Sequence, residues 1–231
     1  MKNKILIILI ITIIPILTAC NITKVEDTSA YKFKEEYEKV NNEENAKGQQ
    51  YRKLSIDTVN PFVKITPEEL LEKINNNEEF YVYFGSPYCP WCRSVIETCI
   101  ASAKKQNIKR IYYIDIWNDK REEILRDKYI INDNNELEQI TKGTNTYYEL
   151  LKIFDNKLSN YTLTNKDGEE VEVGETRIFA PSFIYIKNKT AQTIISGISE
   201  KLENPNDELT KEIISDEEEA FNDFFDEDCG C

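Results

Sequence analysis

Two cysteines spaced C-x-x-C are the residues of this sequence best suited to chemistry. Cys89 and Cys92 enclose Pro90 and Trp91 in the stretch Y-F-G-S-P-Y-C-P-W-C-R at residues 83–93. Thiols at this spacing can form a redox-active disulfide, supply half of a thiolate metal site, or act as a structural staple. The elements on either side of the pair distinguish these three kinds of site.

Composition excludes several classes of function. The chain of 231 residues contains no histidine, which excludes Ser-His-Asp and Cys-His hydrolases and histidine-ligated zinc. The formal net charge is −13, and nucleic acid is not an expected partner because phosphate binding needs a basic face. Apolar residues make up 40% of the chain, which is enough to bury one core.

Hydrophobic patterning puts the two cysteines between a strand and a helix. Residues 80–84 favour a strand, and residues 90–106 favour a helix with one apolar side. That side carries Val95, Ile96, Cys99 and Ala103. Cys89 then lies at the first turn, where unpaired backbone N–H groups and the helix dipole favour a thiolate. Such a thiolate can attack a disulfide, and Cys92, one turn later, can resolve the mixed disulfide.

The sequence around this unit predicts an α/β fold. Residues 62–65 and 110–116 favour strands, and Thr66 followed by Pro67 and Glu69 starts a helix between the first two strands. Strands that follow one another through helices imply a sheet with parallel members and both faces covered. The C-x-x-C pair therefore follows the second of three such strands.

The pattern changes after the third predicted strand. Residues 121–129 and 147–156 favour charged helices, and residues 161–173 favour a hairpin that turns at N-K-D-G. Two more strands are predicted near the C-terminus, one at residues 180–186 that is led by a proline and one at residues 192–198.

These features, taken in order, resemble the thioredoxin superfamily, and in particular exported bacterial thioredoxin-like lipoproteins of the bacteriocin-transport accessory kind. The resemblance is carried by the aromatic strand into C-P-W-C, the strand with Asp115, the A-P-S-F stretch at residues 180–183, and Gly197. It implies a thioredoxin-like α/β fold with a central mixed sheet flanked by helices. The expected domain spans residues 54–227, with a helical and hairpin insertion at about 118–173.

The resemblance also implies roles for individual residues. In that family the proline before the penultimate strand is cis and faces the C-x-x-C pair, and Pro181 takes this position here. Cys89 and Cys92 are then the catalytic dithiol, and the backbone of Ala180 pairs with a substrate chain. Trp91 is expected either to contact substrate or to pack against the domain.

Three residues near the dithiol raise separate questions. Thioredoxins carry a buried acid six residues before the first cysteine, and Tyr83 takes that position here. Either proton transfer goes through water or another acid, or the redox properties of the protein differ from those of a typical reductase. Asp115 is a weak substitute, since an aspartate at a strand end usually caps a turn. Arg93 is expected on the surface, either favouring the thiolate or without a role.

The N-terminus carries an export pattern. Lys2 and Lys4 precede an apolar run at residues 5–17, which is shorter than the ~20 residues of a membrane span. The following L-T-A-C resembles a bacterial lipobox, which predicts a signal peptide at residues 1–19 and lipidation of Cys20. The alternative is an ordinary signal peptide with an incidental cysteine. Two acyl chains on Cys20 give stable anchoring without a span.

The segment after the expected lipidation site is polar and rich in asparagine. Residues 20–53 are therefore predicted to be the lipidated N-terminus and a tether, with a short helix at residues 31–40. Removal of the leader takes the formal net charge from −13 to −15, because the leader contains two lysines and no acid. The mature protein is expected to be repelled by an anionic membrane surface.

Three cysteines remain beyond the dithiol and Cys20. Cys99 is predicted to be a small buried residue, with a resolving or regulatory role as the alternative. Cys229 and Cys231 form a Cys-Gly-Cys tail at residues 228–231. They are an auxiliary dithiol that exchanges with the C-x-x-C pair, an inert pair, or two ligands of a four-thiolate metal site. Of these, we retain the auxiliary dithiol and expect no metal.

An acidic helix is predicted before this tail. Residues 216–228 contain eight acids and no base, with a start that resembles a capping box at residues 215–218. Phe221, Phe224 and Phe225 lie at helical spacing and are expected to cover the sheet.

The sequence thus predicts a lipid-anchored thiol–disulfide oxidoreductase at the outer face of the cell membrane. It is expected to act on exported proteins, with no cofactor and with a membrane redox partner. Pro-Trp between the cysteines supplies no histidine to stabilise the reduced form, which favours a reductase or isomerase over an oxidase. The alternative is a non-catalytic binding module for secretion or bacteriocin transport, in which the cysteines are structural.

Overall fold

The computed structural model describes residues 28–45 and 47–226. The predicted signal peptide, Cys20 and the Cys-Gly-Cys tail lie outside these residues. The helices of the described part are α1 (Ser29–Glu38), α2 (Pro67–Asn75), α3 (Pro90–Lys105), α4 (Asn145–Phe154) and α5 (Lys211–Asp226). No helix in these two ranges is long and apolar enough to cross a membrane.

The central sheet is mixed and has five strands. The strands of the described residues are β1 (Phe62–Lys64), β2 (Phe80–Gly85), β3 (Ile111–Asp115), β4 (Lys128–Ile131), β5 (Leu137–Thr141), β6 (Ser159–Thr164), β7 (Glu170–Arg177), β8 (Ser182–Lys187) and β9 (Thr190–Ile195). The sheet has the order β1-β3-β2-β8-β9. Strands β1 and β2 run parallel to β3, whereas β8 is antiparallel to both β2 and β9. The predicted α/β class with a mixed sheet is confirmed.

Helices cover both faces of this sheet, as the alternation of side chains along β2 requires. Tyr81 and Tyr83 face one core with α1, α3 and α5, and Val82 and Phe84 face the other with α2 and α4. All four side chains are buried. The cysteines lie on the first of these faces, so the residues of that core decide their surroundings.

The described part of the segment expected to be a tether, residues 28–45 and 47–53, belongs to the folded domain. The short helix predicted at residues 31–40 is present as α1, but its side chains Phe33 and Tyr37 are buried in the core. Phe33 stacks on Phe62 of β1 with ring centroids 4.2 Å apart. Tyr51 is also buried. The prediction that folding starts near residue 54 is therefore wrong. The sequence does not reveal this part of the core, because the two apolar residues of α1 at i, i+4 spacing lie among charged residues.

The insertion differs from expectation in its first half. The helix predicted at residues 121–129 is absent, and the chain instead forms the β4–β5 hairpin. Its turn uses Asn132, whose side-chain oxygen accepts from the backbone N–H groups of Asn134 and Glu136, and Asn135, whose φ is 62°. The hairpin predicted at residues 161–173 is confirmed as β6–β7, and α4 confirms the second predicted helix.

Of two helix starts that the local sequence predicts, one is confirmed and the other is wrong. The capping box at α2 is present, with Thr66 and Glu69 exchanging hydrogen bonds. The start predicted at residues 215–218 is wrong, since α5 begins at Lys211 and Thr210 accepts from the backbone N–H of Ile213. The three phenylalanines of α5 are buried against the sheet, as predicted.

Candidate functional site

Cys89 caps the helix that follows β2. Its backbone is extended, with φ −90° and ψ 115°, and its sulfur accepts a hydrogen bond from the backbone N–H of Cys92 at 3.4 Å. Pro90 follows at the first helical position, where the absent N–H costs nothing. The predicted junction of strand, turn and helix is thus confirmed, with the sulfur of Cys89 at the positive end of the helix dipole.

The proline strand meets this turn directly. Strand β8 pairs with β2 in a register that sets Ser182 opposite Phe84, so the residues before β8 lie beside the cysteine turn. The Ala180–Pro181 peptide bond is cis, as the resemblance implies. The thiol of Cys89 donates to the carbonyl oxygen of Ala180 at 3.6 Å. The structure therefore brings together residues that are ninety-one positions apart in the chain.

The two thiols of the pair have opposite tendencies to ionise. Both are free in the structure, and Cys92 is fully inaccessible to solvent. A hydrogen bond from the Cys92 thiol lowers the pKa of Cys89, and backbone N–H groups and the guanidinium of Arg126 act in the same direction against the effect of burial. Burial raises the pKa of Cys92 well above its ordinary value, and the neighbouring Cys89 raises it further. Cys89 therefore favours the thiolate, which can attack a disulfide, whereas Cys92 favours the protonated thiol.

Arg126 was not among the predicted site residues. It belongs to the insertion, where its side chain is buried, pairs with Glu123 at 2.6 Å and donates to the carbonyl oxygen of Ile178 at 2.9 Å. That carbonyl is two residues before Ala180. No sequence signal identifies Arg126, because the sequence predicts only a charged helix for its stretch.

Arg93 is not the surface residue that was expected. Its side chain is completely buried, and it donates to the carbonyl oxygens of Tyr37, Arg52 and Pro87. It also donates to the side-chain oxygen of Asn41 at 2.7 Å. The guanidinium thereby ties α1 to the loop that precedes Cys89. It is a structural cation, since its donors are directed at carbonyl groups rather than at the cysteine sulfur.

Trp91 stands between two cavities beside the dithiol. It is partly buried against the core, and it lines a cavity of about 480 Å³ that also includes Tyr51, Trp117 and Arg121. On its other side lies a cavity of about 400 Å³ that includes Phe179 and Pro181. Trp91 therefore both packs against the domain and faces open space, so the two alternatives for this residue are compatible.

Tyr83 reaches from β2 toward the cysteine turn. A Cβ atom placed on Gly85 would lie 2.0 Å from the Tyr83 hydroxyl oxygen, so that hydroxyl fills the space that the glycine leaves. The hydroxyl is also 2.8 Å from the hydroxyl of Tyr37 on α1, and both rings are fully buried. Burial raises the pKa of Tyr83 well above its ordinary value, and Cys92 is the next largest contributor.

Asp115 is the acid at the end of β3. It lies directly across the ladder from Gly85, and because neighbours in a parallel ladder share a face, its side chain is on the Tyr83 side. It accepts from the backbone N–H of Trp117 at 3.1 Å, which is the predicted turn cap, and from Lys64 at 3.4 Å. Lys64 also pairs with Glu36 at 3.0 Å. Burial raises the pKa values of both carboxyl groups, against the effect of Lys64.

Of the remaining cysteines, Cys99 alone lies within the residues that the structure describes. Cys99 is a buried free thiol whose pKa burial raises, which confirms its assignment as a core residue. Cys229 and Cys231 lie outside the described residues, and α5 ends near the start of β2, where Tyr81 donates to the carbonyl oxygen of Phe225. Within residues 28–45 and 47–226, no group of three or more acidic or cysteine side chains is arranged to hold a metal.

The described residues thus define a mixed α/β protein with an asymmetric dithiol at a helix start. No protein-family model matches the chain, and no curated protein matches it. The geometry and chemistry of the site therefore carry the functional conclusion.

Proposed function

We propose that the protein is a thiol–disulfide oxidoreductase built on a thioredoxin-like fold. The observation that carries the proposal is the pairing of a helix-capping Cys89 with a fully buried Cys92, beside the cis-Pro181 peptide. A purely structural disulfide would require neither a lowered pKa at one sulfur nor the two cavities that Trp91 lines. The strand order β1-β3-β2-β8-β9 and the position of the cysteines after β2 support the family resemblance.

The proposed reaction is two successive thiol–disulfide exchanges. The Cys89 thiolate attacks one sulfur of a substrate disulfide, which breaks the S–S bond, forms a mixed disulfide and releases one substrate thiol. The Cys92 sulfur then attacks Cys89, which forms the Cys89–Cys92 bond and releases the second substrate thiol. The substrate gains two electrons and two protons, and the protein dithiol loses them. A thiol donor, here a membrane redox partner, returns the dithiol to the reduced form.

The substrate is proposed to be an exported protein segment lying along the Ala180 backbone. The carbonyl of Ala180 already accepts from Cys89, so it is directed at the position where a substrate sulfur reacts. Lipidation at Cys20 would hold the domain at the extracytoplasmic face of the membrane, and the L-T-A-C sequence supports this part of the proposal.

Reduction of insulin disulfides by dithiothreitol tests the proposal. We expect the wild-type protein to accelerate insulin precipitation, and Cys89→Ser to abolish the acceleration because the attacking thiolate is lost. Cys99→Ser is the matched control, since it removes a buried thiol from the same helix, and it should retain activity. Full activity in Cys89→Ser would contradict the proposal and favour a non-catalytic binding module.

A further inference from the structure

The larger of the two cavities that Trp91 lines is not used by the proposed exchange. Its volume of about 480 Å³ is within the usual range of ligand pockets. The lining includes Pro90 as well as Trp91, so the cavity begins at the residue that follows the attacking Cys89. It is therefore adjacent to any substrate chain whose sulfur lies at Cys89.

Aromatic rings form much of the wall of this cavity. Tyr51 and Tyr88 are buried in one cluster, and the ring of Trp117 packs against that cluster. Trp91 supplies the fourth ring. A surface of four rings suits another ring, because aromatic pairs attract each other beyond the burial of apolar area. The lining also contains four side-chain amides, those of Asn45, Gln49, Asn204 and Asn206.

The ring of Trp117 is held in place from two directions. Its indole N–H donates to a carboxylate oxygen of Glu123 at 3.3 Å, and its backbone N–H donates to Asp115 at 3.1 Å. The same oxygen of Glu123 accepts from Arg126 at 2.6 Å, and only 7% of each of these two side chains is exposed. Because the ring is already ordered, a ligand that binds against it loses little free energy to ordering the wall.

A cation of the protein lies over two of the rings. The guanidinium of Arg121 is 4.9 Å from the ring centroid of Tyr88 and 5.8 Å from that of Tyr51. Arg121 also pairs with Glu43 and donates to the carbonyl oxygen of Glu44 at 3.2 Å, which joins the insertion to the N-terminal segment. The attraction of these two rings for a cation is thus already satisfied within the protein.

The charge of the lining distinguishes between possible occupants. Among the described residues that line the cavity, Lys47 and Arg121 are basic and none is acidic. Glu43 offsets the charge of Arg121 from outside the lining. A lysine or arginine of the substrate would therefore meet like charge, whereas a neutral ring would meet other rings and amide groups.

We propose that this cavity is a specificity pocket for an aromatic side chain next to the reacting cysteine of the substrate. This inference rests on the proposed function and deepens it, because it names the class of disulfide that the protein prefers. A ring bound in the pocket holds the substrate sulfur near Cys89, so the preference is expressed in the rate of the first exchange. The N-terminal segment and the insertion then share a role, since each supplies part of the wall.

Peptide disulfides of matched sequence test the pocket. Each peptide has one cysteine in a chain of glycine and serine, and the residues on both sides of the cysteine are phenylalanine, leucine or lysine. Two identical peptides are joined through their cysteines. The reduced full-length chain, with Cys20, Cys229 and Cys231 replaced by serine, is mixed with excess peptide disulfide. Release of the peptide thiol is followed by acid quenching and chromatography.

We expect the phenylalanine peptide to react ~3–10-fold faster than the leucine peptide, as an added aromatic contact predicts, and the lysine peptide to react most slowly. Trp117→Leu should reduce the ratio of the phenylalanine rate to the leucine rate to less than about twofold, because one wall of the pocket is lost. Phe179→Leu is the matched control, since it removes a ring from the other cavity that Trp91 lines, and this ratio should stay at its wild-type value.

The charge of the lining is tested separately. Arg121→Gln should increase the rate of the lysine peptide relative to that of the leucine peptide, because it removes a cation from the wall. Lys120→Gln is the matched control, since it removes an exposed cation that is next in the chain and outside the lining. It should leave this second ratio unchanged.

The outcomes separate this inference from the proposed function. Equal rates for the three peptides with the wild-type protein would overturn the pocket and leave the oxidoreductase proposal intact. A preference lost in Phe179→Leu but kept in Trp117→Leu would do the same. A wild-type protein that reacts with none of the peptides would contradict the proposed function itself. Thermal unfolding checks each variant, and if Trp117→Leu does not fold, an unchanged lysine rate in Arg121→Gln overturns the pocket.

Discussion

At the scale of single residues, buried polar groups are the least predictable part of this molecule. Arg93 and Tyr83 stood out in the sequence only by their nearness to the cysteines. Their partners are Tyr37, Asn41 and Arg52, which lie forty-six, fifty-two and forty-one positions away in the chain. No local pattern links such pairs, because periodicity reports which face a residue occupies and not what it meets there.

A buried carboxyl group on α5 shows the same limit. Glu217 is completely buried, and one of its oxygens accepts from the Thr98 hydroxyl at 2.8 Å while the other has no hydrogen-bond partner. Burial raises the pKa of Glu217 from its ordinary 4.5 to about 7, although Thr98 and Arg52 act in the opposite direction. The folded protein therefore binds a proton that the unfolded chain releases between these two pH values.

The stability of the protein should consequently fall as pH rises through this window. The folded pKa lies above the unfolded pKa, so the free energy of unfolding decreases from about pH 4.5 to about pH 7 and is then constant for this group. Glu217→Gln keeps a polar partner for Thr98 without the buried charge. Between pH 5 and pH 8, we expect the free energy of unfolding of the wild-type protein to fall by about 1–2 kcal/mol more than that of Glu217→Gln, after allowance for solvent screening.

Urea denaturation of the reduced protein at both pH values measures this effect. Glu219→Gln is the matched control, because it removes an exposed carboxylate from the same helix and should leave the pH dependence unchanged. A Glu217→Gln variant with the same pH dependence as the wild type would show that folding does not raise the pKa of Glu217.

At the scale of elements, prediction succeeded where a local pattern determines the structure. The strands β2 and β3 and the helices α2 and α3 have strong apolar runs, a capping box or a proline at the first turn, and each was anticipated to within about two residues. The β4–β5 hairpin was missed because its charged residues suit a helix as well as an exposed strand.

The contact between α5 and the end of β9 provides an element-scale prediction. Gly197 has a φ of 72°, and an added Cβ would lie 2.3 Å from the ring of Phe221, which is fully buried. We expect Gly197→Ala to cost about 2–4 kcal/mol of stability, since an unfavourable backbone conformation adds to overpacking. Gly168→Ala is the matched control, because its φ is 84° with nothing within 4 Å, and it should cost about 1 kcal/mol.

Chemical denaturation of the two glycine variants makes the comparison. The difference between them isolates the contact with Phe221, since both share the left-handed backbone. Equal losses of stability would mean that α5 shifts away from β9 without cost, and that the aromatic contact does not hold the helix in place.

At the scale of the whole molecule, the site depends on elements from every part of the described chain. Helix α3 supplies both cysteines, the residues before β8 supply the cis peptide, β2 and α1 supply the hydroxyl pair, and the insertion supplies Arg126. The sequence identified the first two contributions, because proline and paired cysteines have recognisable signatures. The other contributions arise from tertiary contacts of α1 and the insertion, for which the sequence predicts a tether and charged helices.

The central claim is that Cys89 attacks disulfides and Cys92 resolves the product. Incubating Cys92→Ser with insulin, followed by non-reducing electrophoresis and peptide mapping, tests it most directly. We predict a stable mixed disulfide between Cys89 and insulin, since the resolving thiol is gone, and none in the Cys89→Ser protein. Absence of the mixed disulfide in folded Cys92→Ser, or a mixed disulfide formed through Cys99 instead, would contradict the account.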